Sequence, residues 1–155
     1  MTREQRHNCM SRIRGKDTRP EMVVRRWLHS EGFRYSLHSR RLPGCPDLVL
    51  RRYHTVIFIN GCFWHGHPGC DKFRMPRSNV EFWQEKIRRN KERDAQEVAA
   101  LEALGWNVIV VWECELSRRA RDLTLRNLVD AVRRNIEPES IHPIPLSVRK
   151  LSLKE

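Results

Sequence analysis

The sequence lacks any apolar run long enough to cross a membrane. About 20 consecutive apolar residues are needed to span a bilayer, and no segment of this 155-residue chain approaches that length. Residues 1–6 are polar and contain no apolar core of the kind that a signal peptide requires. We therefore expect a cytosolic protein that makes no contact with a membrane.

The chain also lacks the paired cysteines of a disulfide-bonded secreted domain. It has five cysteines, an odd number. Together with the missing export signal, this count favours free thiols or metal ligands over a disulfide framework. Internal repeats are absent as well.

Acidic residues are scarce relative to basic ones. The chain has 30 Lys and Arg residues against 19 Asp and Glu residues, a formal net charge of +11 and a pI near 10.2. Residues 1–52 contain much of this excess, with 13 basic and 5 acidic side chains. Such a surplus favours a polyanionic partner, because each neutralised phosphate releases counterions. A generally basic protein without such a partner is the alternative.

Size and proline content predict one domain followed by a tail. We expect residues 1–135 to form the domain, with residues 1–16 as a basic arm that contacts DNA, since four arginines lie in that stretch. Residues 136–155 contain Pro138, Pro143 and Pro145. This spacing predicts an irregular tail. A DNA-binding protein of the cytosol would be associated with the nucleoid.

Hydrophobic periodicity predicts the element order α-α-β-β-β-α-β-α. The predicted helices are residues 2–14, 20–30, 79–104 and 122–135, and the predicted strands are residues 33–37, 47–50, 55–59 and 106–112. Ser78 and Glu81 fit a capping box that opens the third helix, whose charged middle should face solvent or a ligand. This helix connects the last two strands as a crossover and makes them parallel. The fourth strand is apolar on both faces, which predicts a position in the middle of the sheet. The expected fold is α/β with a mixed sheet.

Soft metal ligands are clustered after the third strand. Cys62, His65, His67 and Cys70 lie within nine residues, and Cys114 follows the fourth strand. Thiolate and imidazole are the ligands that Zn²⁺ prefers, four in a tetrahedron. Since the third and fourth strands are predicted to be parallel, Cys62 and Cys114 should meet at one edge of the sheet. The spacing leaves open whether His65 or His67 is the fourth ligand, and chance clustering is the alternative to a metal site.

Three polar side chains are candidates for hydrolytic chemistry. Asp47 opens an apolar strand, where a carboxylate needs a cation or a hydrogen-bond donor, because burying it alone is costly. Such a carboxylate could anchor the Mg²⁺ of a nuclease, and His65 could act as a general base or acid near neutral pH. Glu21 shares the core-facing side of its helix and is a candidate for holding metal-bound water. The alternative for Glu21 is that it complements the helix dipole.

Several motifs occur in one order along the chain. They are residues 10–18 (MSRIRGKDT) with 20–21 (PE), residues 42–47 (LPGCPD), residues 61–67 (GCFWHGH), residues 82–87 (FWQEKI) and residues 111–114 (VWEC). Together they closely resemble the very-short-patch mismatch repair endonucleases, in the same order and at nearly the same spacing over residues 6–135. The resemblance implies a restriction-endonuclease-like fold with a zinc-stapled loop. It also implies an enzyme that nicks duplex DNA 5′ of the thymine in a T·G mismatch left by deamination of 5-methylcytosine.

The resemblance implies a role for each candidate residue. Asp47 and the backbone carbonyl of Ile59 would bind the catalytic Mg²⁺, His65 would be the catalytic imidazole, and Glu21 would hold metal-bound water. A structural Zn²⁺ would be bound by Cys62, His67, Cys70 and Cys114. The enzyme would act as a monomer on DNA.

The resemblance also implies that apolar side chains enter the base stack beside the mismatch. Phe63, Trp64 and Trp83 would enter from the major groove, and Met10 and Ile13 from the minor groove. Insertion costs a few kcal/mol of unstacking and less at a mismatch, which gives selectivity. For Phe63 and Trp64 the alternative is a hydrophobic lid over the zinc.

The sequence departs from the family pattern at two places. Asn60 stands where some members have a second active-site histidine, and two residues separate His67 from Cys70 where one can occur. The acidic-x-Lys pattern of restriction enzymes is also missing from the third strand, which is consistent with His65 acting as the base. A restriction-type enzyme that cuts fully paired sites and a non-catalytic zinc module that only binds DNA are the competing hypotheses.

Overall fold

The computed structural model describes residues 2–11 and 15–135. The predicted tail, residues 136–155, and the predicted minor-groove residue Ile13 lie outside these ranges. Met10 is described in its backbone only. The predicted roles of Met10 and Ile13 therefore stay predictions.

The element order is the one that the sequence predicts. The helices are α1 (Arg3–Ser11), α2 (Arg19–Ser30), α3 (Val80–Ala103) and α4 (Arg121–Arg134), and the strands are β1 (Ser36–Leu37), β2 (Leu48–Leu50), β3 (Thr55–Asn60) and β4 (Asn107–Trp112). Short 3₁₀ helices follow β2 and β4 at Arg51–Tyr53 and Glu113–Leu116. Among the described helices, none combines the length and the hydropathy that a membrane span requires.

The four strands form one mixed sheet in the order β1-β2-β3-β4. β2 pairs antiparallel with both β1 and β3, whereas β3 and β4 are parallel and end together, with Asn60 opposite Trp112. The predicted α/β fold with a mixed sheet flanked by helices is confirmed. The parallel pair brings the segments that follow β3 and β4 to one edge of the sheet.

The prediction that β4 lies in the middle of the sheet is wrong, because β4 is an edge strand. Both of its faces are nevertheless covered. Val111 packs in a core cluster with residues of α2 and α4. On the other face, Val108 packs against a second cluster, which contains Leu101 of α3. Apolar residues on both faces of a strand thus indicate that helices cover both faces of the sheet. They do not indicate that the strand is paired with a neighbour at each edge.

Two element boundaries differ from the prediction for local reasons. Asn79, in the left-handed conformation with φ 53°, precedes α3 and makes no side-chain cap hydrogen bond. The predicted capping box of Ser78 and Glu81 is therefore wrong, because the helix begins one residue too late for Ser78 to be its N-cap. β1 is shorter than predicted because the backbone N–H of Phe33 donates to the carbonyl of Leu28 at the end of α2 (3.0 Å).

Candidate active site and metal-binding cluster

Asp47 lies where β2 begins, beside the end of β3. Its Oδ2 accepts a hydrogen bond from the backbone N–H of Ile59 at 2.7 Å. Burial raises the pKa of Asp47, and the carboxylate of Glu21 raises it further, while the Ile59 amide and the rings of His38 and His65 oppose this shift. A half-buried carboxylate in this state gains from a cation that keeps it charged.

His65 is held by the long helix α3. Its Nδ1 lies 2.6 Å from Oδ2 of Asp94, and both side chains are about one quarter exposed. Because a carboxylate oxygen only accepts, the Nδ1–H of His65 donates to Asp94, and Nε2 is left as the acceptor. The arrangement can orient an imidazole so that Nε2 receives a proton.

Asp47 and His65 line the same cavity, which has a volume of about 1200 Å³. Ile59 and Asp94 line it too, so the end of β3 and the middle of α3 both contribute to one open site. The cavity wall also has basic side chains, namely Lys16, Arg40, Lys91 and Arg93. A phosphodiester in this cavity could contact Asp47, His65 and cationic side chains at once.

Glu21 is buried with a side-chain exposure of 2%, as its place on the core-facing side of α2 predicts. Its Oε2 accepts from the backbone N–H of Asp17 at 3.0 Å. Its Oε1 lies 2.9 Å from Nε2 of His38, whose Nδ1 lies 3.8 Å from Oδ1 of Asp47. The imidazole of His38 thus lies between the carboxylates of Glu21 and Asp47. Glu21 also lies in the first turn of α2.

The four zinc-ligand candidates that the family resemblance names come together. The donor atoms of Cys62, His67, Cys70 and Cys114 all lie within 4.8 Å of one another, and the group could hold a metal ion. Nδ1 of His67 is 3.4 Å from Sγ of Cys114. In a tetrahedral site with bonds of about 2.0–2.3 Å, neighbouring donors lie roughly 3.3–3.8 Å apart. The donor set and this contact fit such a site.

Two of the three thiols of this cluster are hard to ionise without a positive charge nearby, whereas hydrogen bonds lower the pKa of the third, Cys70. Burial raises the pKa of Cys62. Burial and the neighbouring thiols raise the pKa of Cys114 to about 12. A bound metal ion would reverse these shifts, because it stabilises the thiolates. Cys45 is the other cysteine whose side chain the structure describes, and it lies outside the cluster.

The loop of residues 61–67, which contains both His65 and His67, is held by hydrogen bonds within itself. The N–H of His65 donates to the carbonyl of Gly61, and the N–H of His67 donates to the carbonyl of Cys62. Gly66 has φ 59°, and a Cβ on it would lie 2.6 Å from Cγ2 of Ile87 in α3. His65 therefore faces the cavity while His67, two residues later, joins the thiols.

Helix α3 and β4 support this loop from two sides. Nδ2 of Asn90 donates to the carbonyl of Trp64 at 2.8 Å. The ring of His67 stacks on Trp112 at the end of β4, with centroids 4.1 Å apart and planes 5° apart. Trp112, rather than Phe63 or Trp64, is thus the aromatic ring that covers this imidazole.

The predicted major-groove residues form one aromatic cluster. Ring centroids are 5.2 Å apart for Phe63 and Trp64, 5.4 Å for Phe63 and Trp83, and 6.0 Å for Trp64 and Trp83. Phe82, which was not predicted as a site residue, contacts Trp83 and is 59% exposed. The Nζ of Lys86 lies 5.8 Å from the ring centroids of both Trp64 and Phe82. Aromatic faces beside a cation are suited to stacking on nucleic-acid bases.

Asp94 and His38 were missed by the sequence reasoning. Asp94 lies in the charged stretch of α3, but it follows the buried Ile87 by seven residues, two helical turns, and so faces the same side. That spacing could have indicated it. His38 is one of the polar residues that alternate with apolar ones in residues 33–38. Its left-handed backbone, with φ 45°, accompanies the contact of its ring with Glu21, and no sequence pattern indicates such a backbone.

Several known proteins are similar in sequence to this chain over most of its length. The family described as "DNA mismatch endonuclease Vsr" matches residues 1–72. The chain is 48% identical to the Type II nicking enzyme V.XorIIP of Xanthomonas oryzae, over 82% of this chain and 93% of that protein. It is 50% identical to the Type II nicking enzyme V.NmeAIP of Neisseria meningitidis, over 77% and 84%. It is 41% identical to the DNA mismatch endonuclease Vsr of Escherichia coli, over 75% and 74%. With relatives this similar over most of their length, the chain belongs to the Vsr family of DNA mismatch endonucleases.

Proposed function

We propose that this endonuclease nicks duplex DNA on the 5′ side of the thymine in a T·G mismatch, by Mg²⁺-dependent hydrolysis of one phosphodiester bond. The observation that carries the proposal is the cavity that Asp47 and His65 share. Membership of the family supports a mismatch in DNA as the substrate. The choice of T·G rests on the motif resemblance described above.

Asp47 and Ile59 would hold the magnesium ion. Oδ2 of Asp47 is engaged by the Ile59 amide, which leaves Oδ1 available to a cation. The carbonyl and the N–H of one strand residue point to the same side of the strand, so the carbonyl of Ile59 faces the side of Asp47. Oxygen ligands of this kind suit Mg²⁺. When bound, the ion would neutralise charge on the phosphate and acidify a water molecule.

His65 would accept the proton of the attacking water at Nε2. Its Nδ1–H is held by Asp94, which selects the tautomer with a free Nε2 and stabilises the imidazolium that forms on proton transfer. The role of Asp94 is therefore that of a positioning residue. Lys91 and Arg93, which line the cavity beside Asp94, are placed to offset the charge of the phosphates.

Zn²⁺ is the ion that we assign to Cys62, His67, Cys70 and Cys114. The assignment follows from the donor set, since three thiolates and one imidazole form a closed tetrahedral site without a position for water. The ion would be structural: it would staple the loop that contains His65 to the end of β4. The ion would fix the position of His65 and would take no part in hydrolysis itself.

The aromatic cluster of Phe63, Trp64 and Trp83 would enter the duplex beside the mismatch. Phe63 and Trp64 directly precede His65 in the same loop, so stacking of their rings on bases would bring the cleaved phosphate to the cavity. Unstacking costs less at a mismatch than in paired DNA. We expect a monomer to act on the nucleoid DNA of the cytosol.

A nicking assay tests the proposal. End-labelled duplexes that differ only in a T·G or a T·A pair are incubated with Mg²⁺ and wild-type protein, and the expected result is a single nick 5′ of the thymine in the T·G duplex. Asp47→Asn should abolish nicking and retain DNA binding, whereas the matched control Asp122→Asn, at an exposed position of α4, should nick like the wild type. Equal nicking of both duplexes would favour a restriction-type enzyme, and full activity of Asp47→Asn would reject the hydrolytic site.

A further inference from the structure

Two buried polar atoms face each other beside Asp47 without a hydrogen bond. Oε1 of Glu21 and Nε2 of His38 are 2.9 Å apart. Within the described part of the chain, neither atom has a hydrogen-bond partner, so the contact has the length of a hydrogen bond but not its direction. Glu21 is 98% buried at its side chain, where an unpartnered carboxylate oxygen is costly.

The separation of these two atoms equals the edge of a metal coordination octahedron. With metal–ligand bonds of about 2.0–2.2 Å, two donors at right angles lie about 2.8–3.1 Å apart. The lone pair of each donor then points about 45° away from the line that joins them, which is too far off that line for a hydrogen bond. A shared cation therefore accounts for both the short distance and the failed hydrogen-bond geometry.

The surrounding charges leave this position available to a cation. Glu21 keeps its orientation because Oε2 accepts from the Asp17 amide. Nη1 of Arg25 lies 3.5 Å from Oε1 of Glu21 and 2.6 Å from Oδ1 of Asp17, so this one guanidinium is shared between two carboxylates. Asp47, whose Oδ1 is 3.8 Å from Nδ1 of His38, adds a third carboxylate, and the negative charges therefore outnumber the guanidinium. A carboxylate oxygen of Asp17 lies within 4.8 Å of both donors and could accept from a metal-bound water.

We propose that Glu21 and His38 form a second cation site, separate from the magnesium site at Asp47, which takes a first-row divalent transition ion such as Mn²⁺ in preference to Mg²⁺. The reason is the donor set. Mg²⁺ takes oxygen ligands and keeps its waters, whereas imidazole binds first-row transition ions well. The site goes beyond the proposed function, because it assigns a second ion and a ligand, His38, that hydrolysis at Asp47 does not require.

Electron paramagnetic resonance with Mn²⁺ as the probe tests the site directly. Zinc-loaded protein without DNA is titrated with Mn²⁺, and pulsed spectra are recorded for ¹⁴N coupling to the bound ion. The wild type should show the coupling of one imidazole nitrogen. His38→Asn should lose this coupling, since an asparagine side chain is too short to reach and Asn tolerates the left-handed backbone of this position. Glu21→Gln should weaken Mn²⁺ binding at this site at least tenfold.

His54 provides a matched control. It also has a left-handed backbone, with φ 50°, and its ring stacks on Trp106 away from the cavity. His54→Asn should therefore keep the nitrogen coupling and the Mn²⁺ affinity. Absence of ¹⁴N coupling in the wild type, or its persistence in His38→Asn, would overturn the site.

The outcome is independent of the hydrolytic assignment. Asp47→Asn should keep the nitrogen-coupled Mn²⁺ signal while it loses Mg²⁺-dependent nicking. If Asp47→Asn nicked DNA normally, the proposed function would fail, and the ¹⁴N signal would still decide whether His38 binds a metal ion.

Discussion

Nδ1 of His65 and Oδ2 of Asp94 lie 2.6 Å apart although 29 positions separate the two residues in the chain. The contact links the loop after β3 to the middle of α3. It also determines which ring nitrogen of His65 is free: the Nδ1–H donates to Asp94, and Nε2 is left without a proton. The same contact therefore links the packing of the loop to the tautomer of His65 that the proposed hydrolysis would use.

Asp94→Asn should lower kcat for nicking on the order of 10²–10⁴-fold, the usual contribution of a positioned general base. The amide can donate to Nδ1, which favours the wrong tautomer of His65, while KM for the duplex should change little. The control is Glu92→Gln, at an exposed ion pair on the same helix, which should be neutral. Steady-state kinetics on the T·G duplex measures both variants, and a normal kcat for Asp94→Asn would reject the positioning role.

Purified protein should contain about one Zn²⁺ per chain by metal analysis. Cys114→Ser should lose the ion and unfold at a lower temperature, because three ligands bind zinc far more weakly than four. Cys45→Ser is the matched control, since Cys45 lies outside the cluster and should leave the zinc content unchanged. A zinc content that survives in Cys114→Ser would contradict the ligand assignment.

Trp64→Ala should reduce the preference for T·G over T·A duplexes about tenfold, which corresponds to about 1.4 kcal/mol, and should affect general DNA affinity less. The reason is the loss of an aromatic face that stacks at the weakened base step. Leu123→Ala, a change at an apolar side chain that is 62% exposed on α4, serves as the control. Fluorescence anisotropy with both duplexes gives the two affinities, and an unchanged ratio in Trp64→Ala would exclude insertion by this residue.

Gly66→Ala should reduce nicking strongly and destabilise the loop by about 1–3 kcal/mol, the cost of a left-handed backbone at a residue with a Cβ. The added Cβ would also lie 2.6 Å from Cγ2 of Ile87 and push His65 away from Asp94. Gly69→Ala separates these two causes. Its φ is 65° but a Cβ there meets no atom within 4 Å, so it should suffer the backbone cost alone and keep more activity.

Much of the fold follows from local patterns in the sequence. The apolar run of residues 55–59 and the crossover helix after it were enough to predict that β3 and β4 are parallel, and so that Cys62 and Cys114 meet. The position of β4 at the edge could not be predicted in the same way, because hydrophobic residues record which faces are covered and not how many strands lie alongside.

The expectation that Asp47 and His65 lie near each other came from their places beside strands: Asp47 directly precedes β2, and His65 lies in the loop after β3. Both side chains line one cavity, and their catalytic roles stay predictions. His38 and Asp94 depend on tertiary packing instead. The ring of His38 is directed by a left-handed backbone, and Asp94 is reached only through the path of a 24-residue helix, which single-sequence periodicity does not position to within a hydrogen bond.

The tight turn of residues 61–67 has a consequence for how this protein can vary. The imidazole of His65 lines the cavity, whereas that of His67 lies in the metal-binding cluster. The backbone N–H groups of these two histidines donate to the carbonyls of Gly61 and Cys62, and these hydrogen bonds fix the two orientations. Adding or deleting a single residue between Cys62 and His65 would move both imidazoles out of position, so that neither the cavity nor the metal-binding cluster would keep its histidine. A library that varies the length of this turn should return few active clones, whereas one that varies side chains at a constant length should return many.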